Sequence, residues 1–283
     1  MARNYRAELV GVFGDPVDDN PTGVMEEAGF RAKGLNYRYI TAKVQPEALG
    51  AAIAGARAIH MKGFNLTMPH KVRVIPFLDG MSEAARIIGA VNTVYEENGR
   101  YIGENTDGKG FVEAMQMQGA PIEGKKIVLL GAGGAGKAIG VECALSGAKH
   151  ITVVNRNRER GEELARVIAE NTACAAEYLP WEGAVKIPEC DILINATCVG
   201  LAPHADEKPD IDYDGIRPGM VVSDVVFNPE WPPFLREARA RGAKAITGLG
   251  MLVCQGARNF TLWTGEEAPF TAMFDALKAE FDA

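Results

Sequence analysis

Cysteine and histidine are scarce in this chain. Five cysteines, Cys143, Cys174, Cys190, Cys198 and Cys254, are spread over the second half of 283 residues with no C-x-x-C pair. The four histidines, His60, His70, His150 and His204, show no H-E-x-x-H spacing. An odd, dispersed set of thiols builds neither a disulfide framework nor a zinc knuckle, so no metal site is expected. Long apolar runs are missing too: stretches such as Ala245 to Ala257 are broken by Gly, Thr and Gln and fall short of the ~18 apolar residues that a membrane span needs. Basic charge is in deficit, since 30 Lys and Arg against 37 Asp and Glu leave a net charge of −7. That balance argues against a nucleic-acid surface. The first residues carry Arg3, Arg6 and Glu8 and no apolar h-region, so no secretory signal is read there and a cytoplasmic location is expected.

What is present is ordinary globular composition, 47% apolar and 24% charged, at a length that predicts one to two domains of roughly 150 residues. From Glu8 to Thr67 the pattern predicts a strand at Leu9–Phe13, a helix from about Pro21, a strand at Tyr37–Ile40, a helix over Pro46–Ala56 and a strand at Gly63–Leu66. This βαβ rhythm implies an α/β fold with a mainly parallel sheet. After Pro121–Gly124, read as a plausible boundary, Lys125–Leu130 is continuously apolar at its core, as a strand covered on both faces should be. Further strands are predicted at His150–Val154, Asp191–Asn195, Met220–Val225 and Lys244–Ile246. Two helices, Leu249–Trp263 and Ala268–Phe281, follow, and they are expected to pack back on the first domain.

Directly after the Lys125–Leu130 strand stand Gly131, Ala132, Gly133, Gly134, Ala135 and Gly136, matching G-x-G-x-x-G. Gly131 suits a tight turn, Gly133 a close approach of a pyrophosphate to the backbone, and Gly136 close packing of helix on strand. The helix that follows offers unpaired NH groups and a positive dipole end to the phosphates. At the tip of the next strand a carboxylate would accept the ribose hydroxyl of NAD, whereas arginine would pair with the phosphate of NADP. The sequence there is Asn155-Arg156-Asn157-Arg158-Glu159-Arg160, with no carboxylate at the strand end, so NADP is the expected cofactor, with Arg156 and Arg160 clamping its phosphate. The bland alternative is that Arg158 and Arg160 are solvated first-turn residues.

Several segments outside this loop form one pattern. Asn65-Leu66-Thr67-Met68-Pro69-His70-Lys71, Gly89-Ala90-Val91-Asn92-Thr93, Asn105-Thr106-Asp107-Gly108, Asn195-Ala196-Thr197 and Gly248 to Gln255 closely resemble the shikimate dehydrogenase family, in order and over nearly the whole chain. The resemblance implies two domains: an N-terminal α/β substrate domain, residues 1–106 completed by helices from about 256 to 283, and a Rossmann-type NADP-binding domain, residues 107–255, with a cleft between them. It implies Lys71 and Asp107 as an acid/base pair, Asn65, Thr67, Asn92 and Gln255 as substrate-binding residues, and Asn155, Ala196, Thr197 and Gly248 beside the glycine loop on the cofactor. The chemistry is consistent apart from the family, because oxidising a secondary alcohol needs a group that removes the hydroxyl proton and returns it in reduction. Taken alone, Lys71 reads as a solvated loop lysine and Asp107 as a helix N-cap.

The sequence departs from that family at one place in particular. The family's Ser-x-Ser carboxylate site is occupied by Asn20-Pro21-Thr22, next to Asp18 and Asp19; Phe227 stands where many members have a tyrosine, and Glu26 where histidine is frequent. Asn and Thr can still donate hydrogen bonds, but nearby carboxylates oppose an anionic ligand. The reaction expected is therefore NADP-dependent hydride transfer on the secondary alcohol of shikimate or a related ring compound, a small-molecule substrate handled by a monomer or homodimer. The alternatives are an NAD-linked quinate/shikimate dehydrogenase, a non-catalytic NADP-binding regulatory protein and, less well matched to Asn105–Gly108, a methylene-tetrahydrofolate dehydrogenase.

Overall fold

The chain crosses twice between two compact units, and both crossings fall inside helices. Unit 1 comprises residues 1–106 and 253–283, and unit 2 residues 107–252. The computed structural model describes residues 5–282; Arg3 and the extreme ends lie outside them.

Unit 1 opens with β1 (Glu8–Gly14), α1 (Thr22–Lys33), β2 (Tyr37–Lys43), α2 (Leu49–Ala58), β3 (Gly63–Leu66) and α3 (His70–Arg73). It continues with β4 (Gly80–Met81), α4 (Glu83–Ile88), β5 (Thr93–Glu97) and β6 (Arg100–Glu104). The helix predicted over Pro46–Ala56 is a 3-10 turn at Pro46–Ala48 followed by α2. The six strands lie in the order β2-β1-β3-β5-β6-β4. β1 runs parallel to β2 and β3, as the βαβ rhythm predicts. The sheet is mixed beyond β3, where β5 is antiparallel to both β3 and β6 while β4 is again parallel to β6. β5 and β6 are joined by a two-residue hairpin: Asn98 (φ 52°) and Gly99 (φ 78°) both adopt the left-handed conformation that a tight turn matching strand twist requires.

The unit 1 core stacks Phe13 on Phe64 at 4.7 Å, with Tyr101 edge-on to Phe64 at 5.3 Å. The last two helices, α9 (Leu249–Thr264) and α10 (Phe270–Asp282), close the other side. Phe260 stacks on Phe30 of α1 at 5.4 Å, and Trp263 Nε1 donates to the carbonyl of Val94 at 2.9 Å. Phe30, Phe64 and Phe260 are essentially inaccessible, and burial of each contributes about 1.5–3 kcal/mol.

Unit 2 begins in α5 (Thr106–Met117) and holds β7 (Lys126–Leu130), α6 (Gly134–Leu145), β8 (His150–Asn155), α7 (Arg158–Asn171) and β9 (Ala175–Pro180). β10 (Val185–Lys186), β11 (Ile192–Asn195), β12 (Ile211–Asp212), β13 (Val221–Asp224), α8 (Pro233–Ala240) and β14 (Lys244–Ile246) complete it before α9. β10 and β12 form a small pair; the other six strands form a parallel sheet in the order β14-β13-β11-β7-β8-β9. Counted along the chain, this is the 3-2-1-4-5-6 arrangement of a doubly wound dinucleotide fold, with its switch point between β7 and β11. Four of the five β7 residues are fully buried, which explains the unbroken apolar run. Pro121–Gly124 is no boundary: α5 before it and β7 after it both belong to unit 2, and Gly124 (φ 73°) only turns the chain into β7.

Candidate functional site

In unit 1 a buried polar network runs from α1 to α9. Asn20 Oδ1 accepts the Thr22 backbone NH at 3.1 Å, which fixes the entry to α1 and leaves the Asn20 amide nitrogen as its donor. The Thr22 hydroxyl, nearly buried, hydrogen-bonds the Tyr39 phenol. Tyr39 in turn donates to Asn65 Oδ1 at 2.9 Å. Asn65 Nδ2 reaches Thr93 Oγ1 at 2.9 Å and the Asn92 carbonyl at 3.3 Å. Thr93 and Thr106 both donate to Asn259 Oδ1, at 2.7 and 2.8 Å, and Asn259 Nδ2 donates to Gln255 Oε1 at 3.2 Å. Each such bond is worth about 0.5–1.5 kcal/mol net, while one buried group left unpaired costs about 1–3 kcal/mol, so the set holds together as a unit. Thr67 sits just beyond, half-buried, its backbone NH on the Phe13 carbonyl at 3.1 Å.

The same network fixes both residues of the expected acid/base pair by their backbones. Lys71 is not on an irregular loop: it lies in the one-turn helix α3, half-buried, and its carbonyl accepts the Val91 NH at 2.7 Å. The next residue, Asn92, takes the Thr106 backbone NH on Oδ1 at 2.7 Å and gives Nδ2 to Thr106 Oγ1 at 3.0 Å. Residues 91–92 therefore hold α3 on one side and the start of α5 on the other. Asp107 follows Thr106 directly as the second residue of α5 and is half-buried, so it is a first-turn carboxylate and not the N-cap. At Gly108 a Cβ would collide with the Ala138 carbonyl of α6, so glycine here lets the two helices of unit 2 approach.

In unit 2 the glycine loop joins β7 to α6 at the switch point. Gly131 has φ 101°, which only glycine adopts readily, and a Cβ on Gly136 would strike the Gly131 carbonyl. Cβ atoms on Gly133 and Gly134 would meet nothing within 4 Å, so the loop faces open space where α6 begins. Ala132 donates its NH to Asn155 Oδ1 at 3.0 Å, and Asn155 Nδ2 donates to the Asn157 carbonyl at 2.7 Å. Asn155 thus ties the glycine loop to the tip of β8, and Asn157 caps α7 by accepting the Arg160 NH at 2.9 Å. The Arg156 guanidinium lies over the Trp181 ring, 5.5 Å from its centre. Arg158 pairs with Glu162 at 2.7 Å, matching the bland reading, and Arg160 is exposed on the same turn.

At the end of β11, Asn195 Oδ1 accepts the Thr197 hydroxyl at 2.7 Å, which sets the Ala196–Thr197 turn beside Gly131. Asn195 Nδ2 donates to Asp224 Oδ1 at 3.0 Å, and the Val226 NH reaches the same oxygen at 2.9 Å. Burial outweighs these donors and raises the Asp224 carboxyl to about 7. Gly248 is pressed against the Val225 and Val226 carbonyls, 2.6 Å from where its Cβ would be, and Phe227 is half-buried on that segment. Sequence reasoning singled out neither Tyr39 and Asn259 in the network nor Trp181 under Arg156, and it quoted Thr93 only as part of a family motif. Among the described residues no cluster of His, Cys, Asp or Glu is arranged to hold a metal ion.

Family models match along the chain: the shikimate dehydrogenase substrate binding domain over residues 12–94, shikimate/quinate 5-dehydrogenase over 113–202, and the shikimate 5′-dehydrogenase C-terminal domain over 248–278. The shikimate dehydrogenase (NADP+) of Desulforamulus reducens is 43% identical over 279 residues, 97% of this chain and 96% of its own. The chain belongs to the shikimate dehydrogenase family. Among solved members, a shikimate dehydrogenase in complex with NADP+ matches with a TM-score of 0.92 at 38% identity, covering 98% of this chain and 97% of that one. The ligand-free 5-ketofructose reductase of Gluconobacter sp. strain CHM43 matches with a TM-score of 0.95 at 42% identity, covering 98% and 100%. The family fold accounts for the doubly wound unit 2 and for the substrate-domain match within unit 1. No described helix is long and apolar enough to cross a membrane.

Proposed function

We propose that this family member catalyses reversible NADP-dependent hydride transfer between a secondary alcohol of a ring substrate, shikimate or a related compound, and its ketone, with Lys71 and Asp107 as the acid/base pair. Its standing as an NADP-linked oxidoreductase follows from the family. The observation that carries the residue roles is the Val91–Asn92 segment, which anchors the backbones of Lys71 and of Thr106, next to Asp107, at adjacent positions. In reduction the Lys71 ammonium gives a proton to the ketone oxygen; in oxidation its amine takes the hydroxyl proton back, with Asp107 as its partner. Thr22, Asn65, Asn92 and Gln255 form the wall against which ring hydroxyls are placed, with Asn20 and Thr67 at its edge. Phe227 supplies apolar surface.

The cofactor side fits NADP. The open space over Gly133 and Gly134 is where a pyrophosphate approaches the backbone, and the α6 N-terminus favours its charge. Arg156 and Arg160 supply the cations for a 2′-phosphate, with Trp181 holding the Arg156 plane. When bound, NADP supplies or takes up the hydride. We further assign the protein to the cytoplasm, as a monomer or homodimer, in keeping with five cysteines that are dispersed along the sequence and form no C-x-x-C pair.

A second reading, a neutral sugar ketone or polyol as substrate, is favoured by Asn20, Thr22 and Phe227 and by the near-complete match to a 5-ketofructose reductase. One assay ranks the two: NADPH formation from shikimate, quinate and neutral cyclitols, and NADPH consumption with 5-ketofructose, each repeated with the NAD pair. Efficient turnover of shikimate at micromolar concentration establishes the first reading. Turnover confined to uncharged substrates establishes the second, and no turnover of any would leave a nucleotide-binding regulatory protein.

A further inference from the structure

Glu26 is a carboxyl group in an unusual position. It lies on α1 one turn after Thr22, is 0% exposed, and neither of its oxygens has a hydrogen-bond partner. The surroundings explain why. Across from it on β2 stands Tyr39, whose own ionisation Glu26 opposes, and its phenol is already engaged with Thr22 and Asn65. On α9 the backbone comes close at Gly256, where a Cβ would lie 3.3 Å from Glu26 Oε1 and would collide with the Met25 thioether. The neighbouring carboxylate, Glu27, turns the other way, accepting the Tyr39 backbone NH at 2.7 Å with Arg31 at 4.0 Å. No lysine, arginine or histidine among the described residues pairs with Glu26.

Glu26 therefore sits directly behind three residues of the substrate wall: Thr22, Asn65 through Tyr39, and Gln255 beside Gly256. We infer that the Glu26 carboxyl, in its ionised form, is a specificity-determining group, biasing this site against ring substrates that carry a carboxylate and toward neutral polyhydroxylated rings. The inference rests on reading that wall as the substrate site. Burial without a counter-charge favours the uncharged form, and the carboxyl is accordingly displaced well upward from its usual range. A bound anion adds to the cost of ionising it, so the anion binds only with Glu26 protonated, and its affinity falls as pH rises through the ionisation of that carboxyl. A neutral ring meets no such opposition. The effect is repulsion across one layer of side chains; it needs no contact between Glu26 and substrate.

The test compares shikimate with methyl shikimate, the same ring without the charge. Binding to the full-length protein is measured by titration calorimetry from pH 6 to 9 with NADPH, which cannot react with an alcohol. Shikimate stays ionised throughout this range, and the Glu26 variants separate the effect of that carboxyl from the effect of every other group in the site. In the wild type, Kd for shikimate should rise at least tenfold across the range and Kd for the ester less than threefold. In Glu26→Gln the difference in pH dependence should vanish, with shikimate binding at pH 9 at least tenfold tighter than in the wild type. Glu26→Met, apolar and of similar length, provides the same comparison if the amide variant does not fold. Parallel pH profiles for the two ligands in the wild type, or an undiminished difference in both variants, would overturn the inference, as would failure of either ring to bind. NADPH formation from a ring alcohol by the wild type tests the underlying dehydrogenase reading separately.

Discussion

The backbone of Lys71 and that of Thr106, next to Asp107, are anchored by hydrogen bonds to Val91 and Asn92 that neither charged side chain makes. Truncating either side chain should leave those anchors intact. Lys71→Ala and Asp107→Ala are each expected to lower kcat by roughly two to four decades with little change in NADP affinity, read by steady-state kinetics and fluorescence titration. Wild-type turnover in either would remove it from the proton transfer. Arg156 is expected to discriminate between cofactors. Replacing it with Gln should weaken NADP by about one to two decades, the loss of a charge-assisted contact of ~1.5–3 kcal/mol, and leave NAD nearly unchanged. An equal loss for both would reduce Arg156 to a structural partner of Trp181. At this scale sequence reading found the charged candidates, since an arginine at a strand tip and a lysine after Met68-Pro69-His70 are local patterns. Tyr39 was invisible, because its role depends on β2 lying beside β1 so that the phenol reaches across to Asn65 of β3.

The end of β13 carries a buried acid whose ionisation is coupled to folding. An aspartate titrates near 3.9 in the unfolded chain, and burial raises Asp224 to about 7 in the folded one. The folded state thus holds the proton more tightly. Its contribution to stability is fully present below about pH 4 and is lost as pH rises toward 7, at about 1.36 kcal/mol per unit of separation. Asp224→Asn keeps an acceptor for the Asn195 amide and the Val226 NH. It should therefore be more stable than the wild type at pH 7.5, by up to a few kcal/mol, with the advantage shrinking toward pH 4, as measured by urea unfolding across that range. A pH-independent difference would show that Asp224 stays ionised.

Among the elements, several strands were legible: β3 and β14 fall where the patterning places them, and β7 within one residue. The mixed character of the first sheet was not recognised, although Asn98-Gly99 between two β-prone runs is a standard hairpin signal. β9 went unseen because it is an edge strand with no fully buried residue and carries no continuous apolar run.

At the scale of the molecule, the nucleotide loop is expected to connect ligand binding to overall stability. NADP at about 100 times its Kd should add ~2.7 kcal/mol to the folded state, worth roughly 2–4 °C of Tm per kcal/mol. Gly133→Val separates the two roles of the loop. Its Cβ meets nothing within 4 Å in the free protein, so Tm without ligand should change little, whereas the rise with NADP should largely disappear, read by thermal scanning. A Tm loss without ligand would mean that Gly133 is needed for the fold itself.

Unit 2 is an insertion within unit 1, with consequences for synthesis. When Thr106 has been translated, all six strands of the first sheet exist, but Phe30 lacks Phe260, Val94 lacks the Trp263 indole, and α1 lacks α10. Those partners arrive only after the whole nucleotide-binding unit has been made. At roughly 5–20 residues per second, the interval lasts on the order of 10–35 s. During that time the later domain can complete its parallel sheet while the earlier one, first off the ribosome, presents an unsealed apolar face to its surroundings. The order of completion is thus the reverse of the order of synthesis, and protection of the nascent chain by chaperones is needed most at its N-terminal third.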